Sequence, residues 1–337
     1  MLTDLETISD EDIRQRWQDA HVSPLWENAK ATDSHRHETP PSHWPWRAMQ
    51  PLIAHAIAST SPATAERRAL SLVDPAARPG DFHTITNLNA ALQILLPGEA
   101  ARPHRHSMDA LRFVLEGEGG VVTRVNGKLA PMEAGDLVLT PGAFWHEHWH
   151  AGTEPMVWLD VLNAHTHISL GTFWFEPGPV HDVPEVTADA AFETPNFLPD
   201  IERSEISPVF RYTFADAKQA LESAPSAKDG SRRIRYVNPL TGGPVIPYLD
   251  CYMMRLDAGE QTTPFKTTAH AVCAVVEGRG TTTTGGGTIA WEARDVFTLP
   301  HGTPIVHAAS ETSYVFIVTD REYFNRLGFL REEYLPA

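Results

Sequence analysis

Histidine is the side chain best suited to hold a divalent metal or move a proton near neutral pH. The stretch PHRHSMDALRF, residues 103 to 113, sets His104 and His106 one residue apart, with Arg112 six further on. On a β-strand, residues i and i+2 project to the same face, so this spacing can aim two imidazoles and a guanidinium into one space. The chain carries 17 histidines, and two other pairs share the His-x-His spacing, His35 with His37 and His165 with His167. Only the 104/106 pair has a framework of turn residues around it. Gly98 precedes His104 by five intervening residues, Glu116 and Gly119 mark the next turn, and Gly135 and Pro141 lead to His146. The other two pairs lack this frame and read as ordinary polar histidines. Downstream, FWHEHWH offers His146, His148 and His150 as candidates for a third ligand. Three neutral imidazoles with positions left open suit Fe(II), Zn(II), Ni(II) or Cu(II), and a zinc hydrolase is one chemistry such a set supports.

Such a site needs strands to position it, and the surrounding sequence supplies them. Residues 81–175 contain short β-rich runs (LNAALQILLPGE, LRFVLEGEG, GVVTRVNGK, DLVLTPG, PMVWLDVL) separated by Gly, Pro and Asn. Close spacing of such runs predicts an antiparallel sandwich or barrel rather than alternating βαβ units. Residues 1–80 read as a helical N-terminal segment, from DLETISDEDIRQRWQDA, MQPLIAHAIAST and a short helix opened by SPATAERR. Between the first two lies ETPPSHWPWRA, where prolines forbid regular structure and Trp44 and Trp46 serve as apolar anchors. Residues 176–232 read as a connector with one helix at FADAKQALESA, and strand texture returns over 233–337.

The two β-rich regions resemble each other. LQILLPGEAARPHRHSMDALRFVLEGEG aligns with YMMRLDAGEQTTPFKTTAHAVCAVVEGRG, and MEAGDLVLTPGAFWH aligns with WEARDVFTLPHGTPIVH. A repeat of about a hundred residues implies a duplicated β-barrel. Phe265 and Thr267 stand in the second copy where His104 and His106 stand in the first, so the second copy has lost the metal site.

Composition narrows the partners. With 42% hydrophobic and 21% charged residues, the 337-residue chain can bury substantial cores. Forty-three acidic against 27 basic residues give a net charge of -16, which disfavours nucleic acid or an anionic membrane as the main partner. A few arginines inside a pocket can still bind a small anion. The N-terminus lacks the pattern of a secretory signal, and no run approaches the ~20 apolar residues of a membrane span. Cys251 and Cys273 lie in apolar strand-like runs and read as buried free thiols. These features predict a cytoplasmic protein.

The framework of Gly98, His104, His106, Glu116, Gly135, Pro141 and His146 resembles the two cupin motifs. The usual cupin glutamate four residues after the second histidine is replaced by Ala110, leaving His104, His106 and His146 as the ligand set. In order, PLWE, HWPWR, AERRALSLVDP, ALQILLPGEAARPHRHSMDALRFVLEGEG, MEAGDLVLTPGAFWHEH and VWLDVL resemble the gentisate and salicylate 1,2-dioxygenases. YVNPLTGG, VVEGRG and LGFLREE extend the likeness to residue 332 or so. These are bicupin ring-cleaving enzymes, a family that also includes 1-hydroxy-2-naphthoate dioxygenases. The resemblance implies a mainly β, bicupin fold of two jelly-roll barrels behind the helical segment, a homotetramer, and Fe(II) as the only cofactor. It implies an ortho-hydroxylated aromatic carboxylate and O2 as substrates. Ring opening would fall between the carbons bearing the carboxylate and the hydroxyl, with both oxygen atoms entering the product. A non-redox metal cupin, an isomerase or a hydrolase, is the competing reading.

The same resemblance assigns roles to single residues. Arg112, on the inner face of its strand, would fork onto the substrate carboxylate. Gln93 matches a substrate-contacting position, and Arg68 matches a second arginine, with neighbouring Arg67 as the other candidate. His148 would accept the phenolic proton, and Asp160 would fix its tautomer. An aspartate on an apolar strand such as MVWLDVL is costly unless paired, which favours a role for it. The chain departs from the usual pattern at Ser107, Met108 and Asp109, at Asn89 near the glutamine, in the histidine-rich FWHEHWH run, and in WLDVLN. These changes leave the ligands and Arg112 in place. Asn89 is a candidate contact for a ring substituent such as a 5-nitro or 5-chloro group.

Overall fold

In a computed structural model of the chain, residues 9–26, 40–61, 67–77, 80, 82–194 and 197–336 are described. His35 and His37, and most of the short helix expected at SPATAERR, lie outside the described residues. The chain divides into two compact units between Glu38 and Thr39. In the first, helix α1 (Asp10–Asp19) begins where the Ser9 hydroxyl accepts a hydrogen bond from Asp12 N (3.2 Å), as an N-cap does. Three acidic residues in its first turn complement the helix dipole.

The second unit is built from strands. β1 (His43–Trp44), helix α2 (Trp46–Ser59) and β2 (Ala69–Leu72) lead into the first barrel. That barrel runs β3 (Asn89–Leu95), β4 (Ala100–His106), β5 (Ala110–Glu116), β6 (Val121–Val125), β7 (Lys128–Met132), β8 (Leu137–Thr140), β9 (His146–His150) and β10 (Met156–Leu162). Helix α3 (Ala164–Ser169), β11 (Phe175–Pro177), β12 (Arg211–Tyr212) and helix α4 (Phe214–Ser223) follow. The second barrel runs β13 (Arg232–Arg235), β14 (Asp250–Leu256), β15 (Phe265–Thr267), β16 (Ala271–Glu277), β17 (Arg279–Thr284), β18 (Gly287–Glu292), β19 (Val296–Leu299), β20 (Val306–Ala309) and β21 (Ser313–Thr319). Helix α5 (Arg321–Arg326) and β22 (Glu332–Tyr334) end the chain.

The first barrel is a six-stranded sheet, β12-β8-β5-β10-β3-β2, facing a five-stranded one, β11-β4-β9-β6-β7. The second repeats the plan with β1-β19-β16-β21-β14-β13 facing β18-β17-β20. The pairing is antiparallel throughout, as the sequence predicts, and the molecule is a mainly β bicupin. Segments that read as lead-in and connector also contribute edge strands: β1 pairs with β19, β2 with β3, and β12 with β8. β11 pairs with β4 across one barrel, and β22 pairs with β15 across the other.

The two six-stranded sheets share one core. Along β5, Leu111, Phe113 and Leu115 join residues of the other barrel such as Val272, Ala274 and Phe316 in a single buried cluster. Phe113 and Phe316 stack with centroids 4.0 Å apart and planes 3° from parallel. The alternate residues of the same strands turn inward. Leu95, Val114, Val121, Met132, Val138, Met156 and Trp158 fill one end of the first barrel, leaving its polar inward residues for the other. Cys251 lies in the shared core and Cys273 in the second barrel's own interior, both as free thiols.

If the shared core holds the barrels as one cooperative unit, Phe113→Ala should cost about 3–5 kcal/mol and leave a single urea transition. Two separated transitions monitored by tryptophan fluorescence would show that the barrels unfold independently.

Candidate metal centre and active site

Strand alternation delivers the site. β4 and β9 pair so that His104 lies opposite His146, and His106 follows two residues along on the same face. The metal-ligating atoms of His104, His106 and His146 fall within 4.8 Å of one another, and all three residues are buried. Among the described residues this is the only such cluster of three or more metal-ligating side chains. Gly98 and Gly135 take φ of +79° and +85° at the turns that frame it, a region open to glycine without strain.

Backbone carbonyls orient the three rings. His104 Nδ1 donates to Arg102 O (2.8 Å), His106 Nδ1 to Met108 O (2.9 Å), and His146 Nδ1 to Phe144 O (2.9 Å). A carbonyl can only accept, so each Nδ1 carries the proton and each Nε2 keeps its lone pair. All three Nε2 atoms are buried without a hydrogen-bond partner among the described residues. An orphaned buried acceptor is costly, and three that converge fit a metal ion. Burial, reinforced by Arg67, pushes His104 and His106 down to about 3, and burial with Arg112 holds His146 well below its ordinary value. The ligands are therefore neutral and ready to coordinate at pH 7. The chain thus carries a three-histidine metal-binding site.

His150 is excluded as a ligand: its Nε2 bonds to Glu154 O (2.7 Å) and its Nδ1 accepts from Gly152 N (3.0 Å). His165 and His167 lie on α3, and His167 bonds locally to Thr172. His148 faces inward with a fourth unpartnered buried Nε2. Its Nδ1 lies 2.8 Å from Thr123 Oγ1, and the Thr123 hydroxyl donates to Met132 Sδ (3.0 Å). With its proton directed to sulfur, Thr123 accepts from His148 Nδ1–H, so Nε2 is the basic nitrogen. This corrects the expectation that Asp160 fixes the His148 tautomer. Asp160 instead accepts from the Trp158 indole (3.0 Å) and pairs with Arg112 Nε at 3.3 Å. Asp160 lies directly opposite Arg112 in the β10–β5 register, whereas His148 belongs to the facing sheet.

Arg112 is 2% exposed. Its Nη1 donates to Thr140 Oγ1, and its Nε contact with Asp160 is an ion pair rather than a hydrogen bond. Burial lowers it to about 10 against the opposing pull of Asp160, so it stays cationic at neutral pH. Gln93 is also buried and presents an unpartnered Oε1.

Two other expectations change. Arg68 forms a bidentate pair with Glu99 (2.7 and 2.8 Å) and bonds twice to Thr60, so it ties scaffold together. The arginine beside the site is Arg67, which lowers the pKa of His104, His106 and His148. Its guanidinium lies 5.9 Å from the centroid of Phe175, a ring stacked on His104 at 5.4 Å. Parity explains the choice: Ala69 pairs with inward-facing Gln93, and Arg67 shares the parity of Ala69 while Arg68 does not. Asn89 does not offer a free amide. Its Nδ2 donates to Phe82 O (3.1 Å) and its Oδ1 accepts from His165 N (2.9 Å), fixing the start of α3. Two departures from the resemblance prove to be partners: Asn163 Nδ2 donates to Asp109 Oδ2 (3.0 Å), and Asn163 Oδ1 accepts from Asp109 N (2.9 Å). Thr123, Thr140 and Phe175 were not legible as site residues. Only the inward parity of Thr123 in the run GVVTRV marked it.

The second barrel shows what the duplication kept. The His104–His146 pairing recurs as Phe265–Ile305, and the Thr123–His148 contact recurs as Thr282–His307, also 2.8 Å. His307 therefore corresponds to His148, and Ile305 to His146. All three ligand positions of the second barrel hold other residues.

Comparison with known proteins extends these observations. The cupin domain family profile matches residues 91–162. The chain is 33% identical over 323 residues to gentisate 1,2 dioxygenase 1 of Aquipseudomonas alcaligenes, covering 92% of each. It is 32% identical over 349 residues to the 5-aminosalicylate 1,2-dioxygenase of a Comamonas species, covering 99% of this chain and 91% of that one. The crystal structure of a salicylate 1,2-dioxygenase from Pseudaminobacter salicylatoxidans superposes with a TM-score of 0.88 at 30% identity, covering 98% of this chain and 99% of the other. With both barrels matched and the three-histidine centre in place, the chain belongs to the gentisate and salicylate 1,2-dioxygenase family, and it is an oxidoreductase that cleaves an aromatic ring with O2.

Proposed function

We propose that the enzyme uses Fe(II) to open an aromatic ring bearing a hydroxyl ortho to a carboxylate, such as gentisate or a 5-substituted salicylate. Cleavage falls between the two carbons that bear those groups, and both atoms of O2 enter the product. The observation that carries this reading is the convergence of three unpartnered Nε2 atoms in the barrel that also buries the cationic Arg112. Relatives named for gentisate, 5-aminosalicylate and 1-hydroxy-2-naphthoate support it, because all three compounds share the ortho hydroxy-acid unit. Iron held by His104, His106 and His146 would supply the redox exchange with O2 that d10 zinc lacks.

The chain's own residues then have separable tasks. Arg112 neutralises the carboxylate of the bound acid, with Thr140 and Asp160 holding its guanidinium. Burial strengthens this attraction because little water screens it. Arg67, whose guanidinium has no hydrogen-bond partner among the described residues, supplies local positive charge in a protein of net charge -16. Gln93 Oε1 accepts a hydrogen bond from a substrate hydroxyl. His148 Nε2 takes the phenolic proton as the acid binds, while Thr123 holds its Nδ1–H. Residues 81–175 form the metal-binding domain in this reading. Buried free thiols at Cys251 and Cys273 fit the reducing cytoplasm.

Oxygen uptake by anaerobically iron-loaded protein should follow addition of gentisate or a 5-substituted salicylate, and zinc-loaded protein should show none. Equal uptake with zinc would exclude the iron mechanism. His104→Ala should lose its bound iron, measured by elemental analysis; full retention would place the metal elsewhere. Arg112→Ala should raise KM by roughly 10- to 100-fold, the value of a charge-assisted hydrogen bond. Arg68→Ala should leave KM unchanged yet lose roughly 3 kcal/mol of stability by stranding Glu99. If Arg68→Ala raised KM while Arg67→Ala left it unchanged, the two roles would be reversed.

A further inference from the structure

The second barrel has lost its metal ligands but has not filled the space they surrounded. A cavity of about 250 Å³ lies there, walled by Met254, Phe265, Leu299, Ile305 and Ile317. The β15–β22 ribbon forms one wall, and Arg321 ties Glu332 of β22 through two 2.9 Å hydrogen bonds. An apolar cavity of about 150 Å³ is large enough to admit benzene, so one aromatic ring fits with room for a substituent.

The polar side chains at this cavity differ in what they can offer. His270 is engaged at both nitrogens, by Asp320 (3.1 Å) and by Thr86 (3.1 Å). Tyr252 donates to Asp250 Oδ2 (2.6 Å), and Arg233 lies 3.5 Å from Asp229. His307 is different: its Nε2 has no partner among the described residues. Its Nδ1 contacts Thr282 Oγ1, which already accepts from the Trp291 indole (2.9 Å). An indole N–H can only donate, and the buried Thr282 hydroxyl has no other hydrogen-bond acceptor among the described residues, so pairing its own proton directs it to His307 Nδ1. The Nε2 of His307 then carries a hydrogen. In the first barrel Met132 stands where Trp291 stands here, and the polarity of the corresponding threonine–histidine pair is the reverse. Burial lowers His307 to about 4, so the imidazole is neutral. The apolar wall, the paired rim charges and the neutral N–H donor together suit an uncharged guest.

We propose that the second barrel binds a neutral, single-ring aromatic molecule carrying one hydrogen-bond acceptor, whose acceptor meets His307 Nε2–H and whose ring lies against Ile305 and Ile317. The site is separate from the metal centre, which takes an aromatic acid, so the two should fill independently.

The probe is 4-fluoroacetophenone, followed by fluorine NMR with the zinc-loaded full-length chain. Saturable binding is expected, and gentisate should not displace it. Ile305→Phe should abolish that binding while leaving the oxygen uptake of the iron-loaded enzyme unchanged. 4-Fluorotoluene, which has the ring without the acceptor, should bind on the order of tenfold more weakly. No saturable binding to the unmodified protein, displacement by gentisate, or binding unaltered in Ile305→Phe would each overturn the site. Equal affinity for the two probes would overturn the role of His307.

Discussion

Three hydrogen bonds from imidazole Nδ1–H to backbone carbonyls set the chemistry of this protein. Each carbonyl fixes a tautomer, and each tautomer leaves a buried lone pair at Nε2 with no hydrogen-bond partner among the described residues. Leaving four such acceptors buried, His148 included, costs stability that the cores must supply. The shared core between the sheets is large and apolar, and it faces away from these groups because a strand sends alternate residues to opposite sides. Stability and chemistry are therefore assigned to opposite faces of the same strands.

The arginines show how one charge type serves two ends. Arg112 lies within a barrel, where removing water makes its charge effective on an anion. Arg68 has the same side chain one residue from Arg67, but Glu99 and Thr60 take four of its five N–H donors, and it works as a brace. The difference is one step of strand parity.

The duplicated barrels form a natural experiment in substitution. Phe265 and Ile305 pair where His104 and His146 pair, and Cys273 stands in β16 where Arg112 stands in β5. The backbone plan survives with the metal chemistry removed. What persists is a histidine held by a threonine, and the residue behind that threonine decides which imidazole nitrogen carries the proton. A thioether accepts and an indole donates, so Met132 and Trp291 give the two pairs opposite polarity from the same geometry.

Much of this was written in the chain itself. Period-two runs between Gly and Pro signals predicted antiparallel barrels, and the internal repeat predicted two of them. The frame around PHRH separated the ligand pair from the other His-x-His pairs, because strand geometry turns that spacing into a shared face. Strand parity also put Arg112 and His148 on inward positions, and the family resemblance singled out Gln93. The sequence could not choose between Arg67 and Arg68, since the parity of a short edge strand depends on its register with β3. It misassigned the partner of His148 because Thr123 and Asp160 lie on different sheets, and only closure of the barrel decides which sheet a side chain faces. Asn89 looked free for a substrate and is held by the loop carbonyl of nearby Phe82 and by the start of a helix 76 residues further on. Local pattern reports which face a residue takes; what it meets on that face is set by chain brought there from elsewhere.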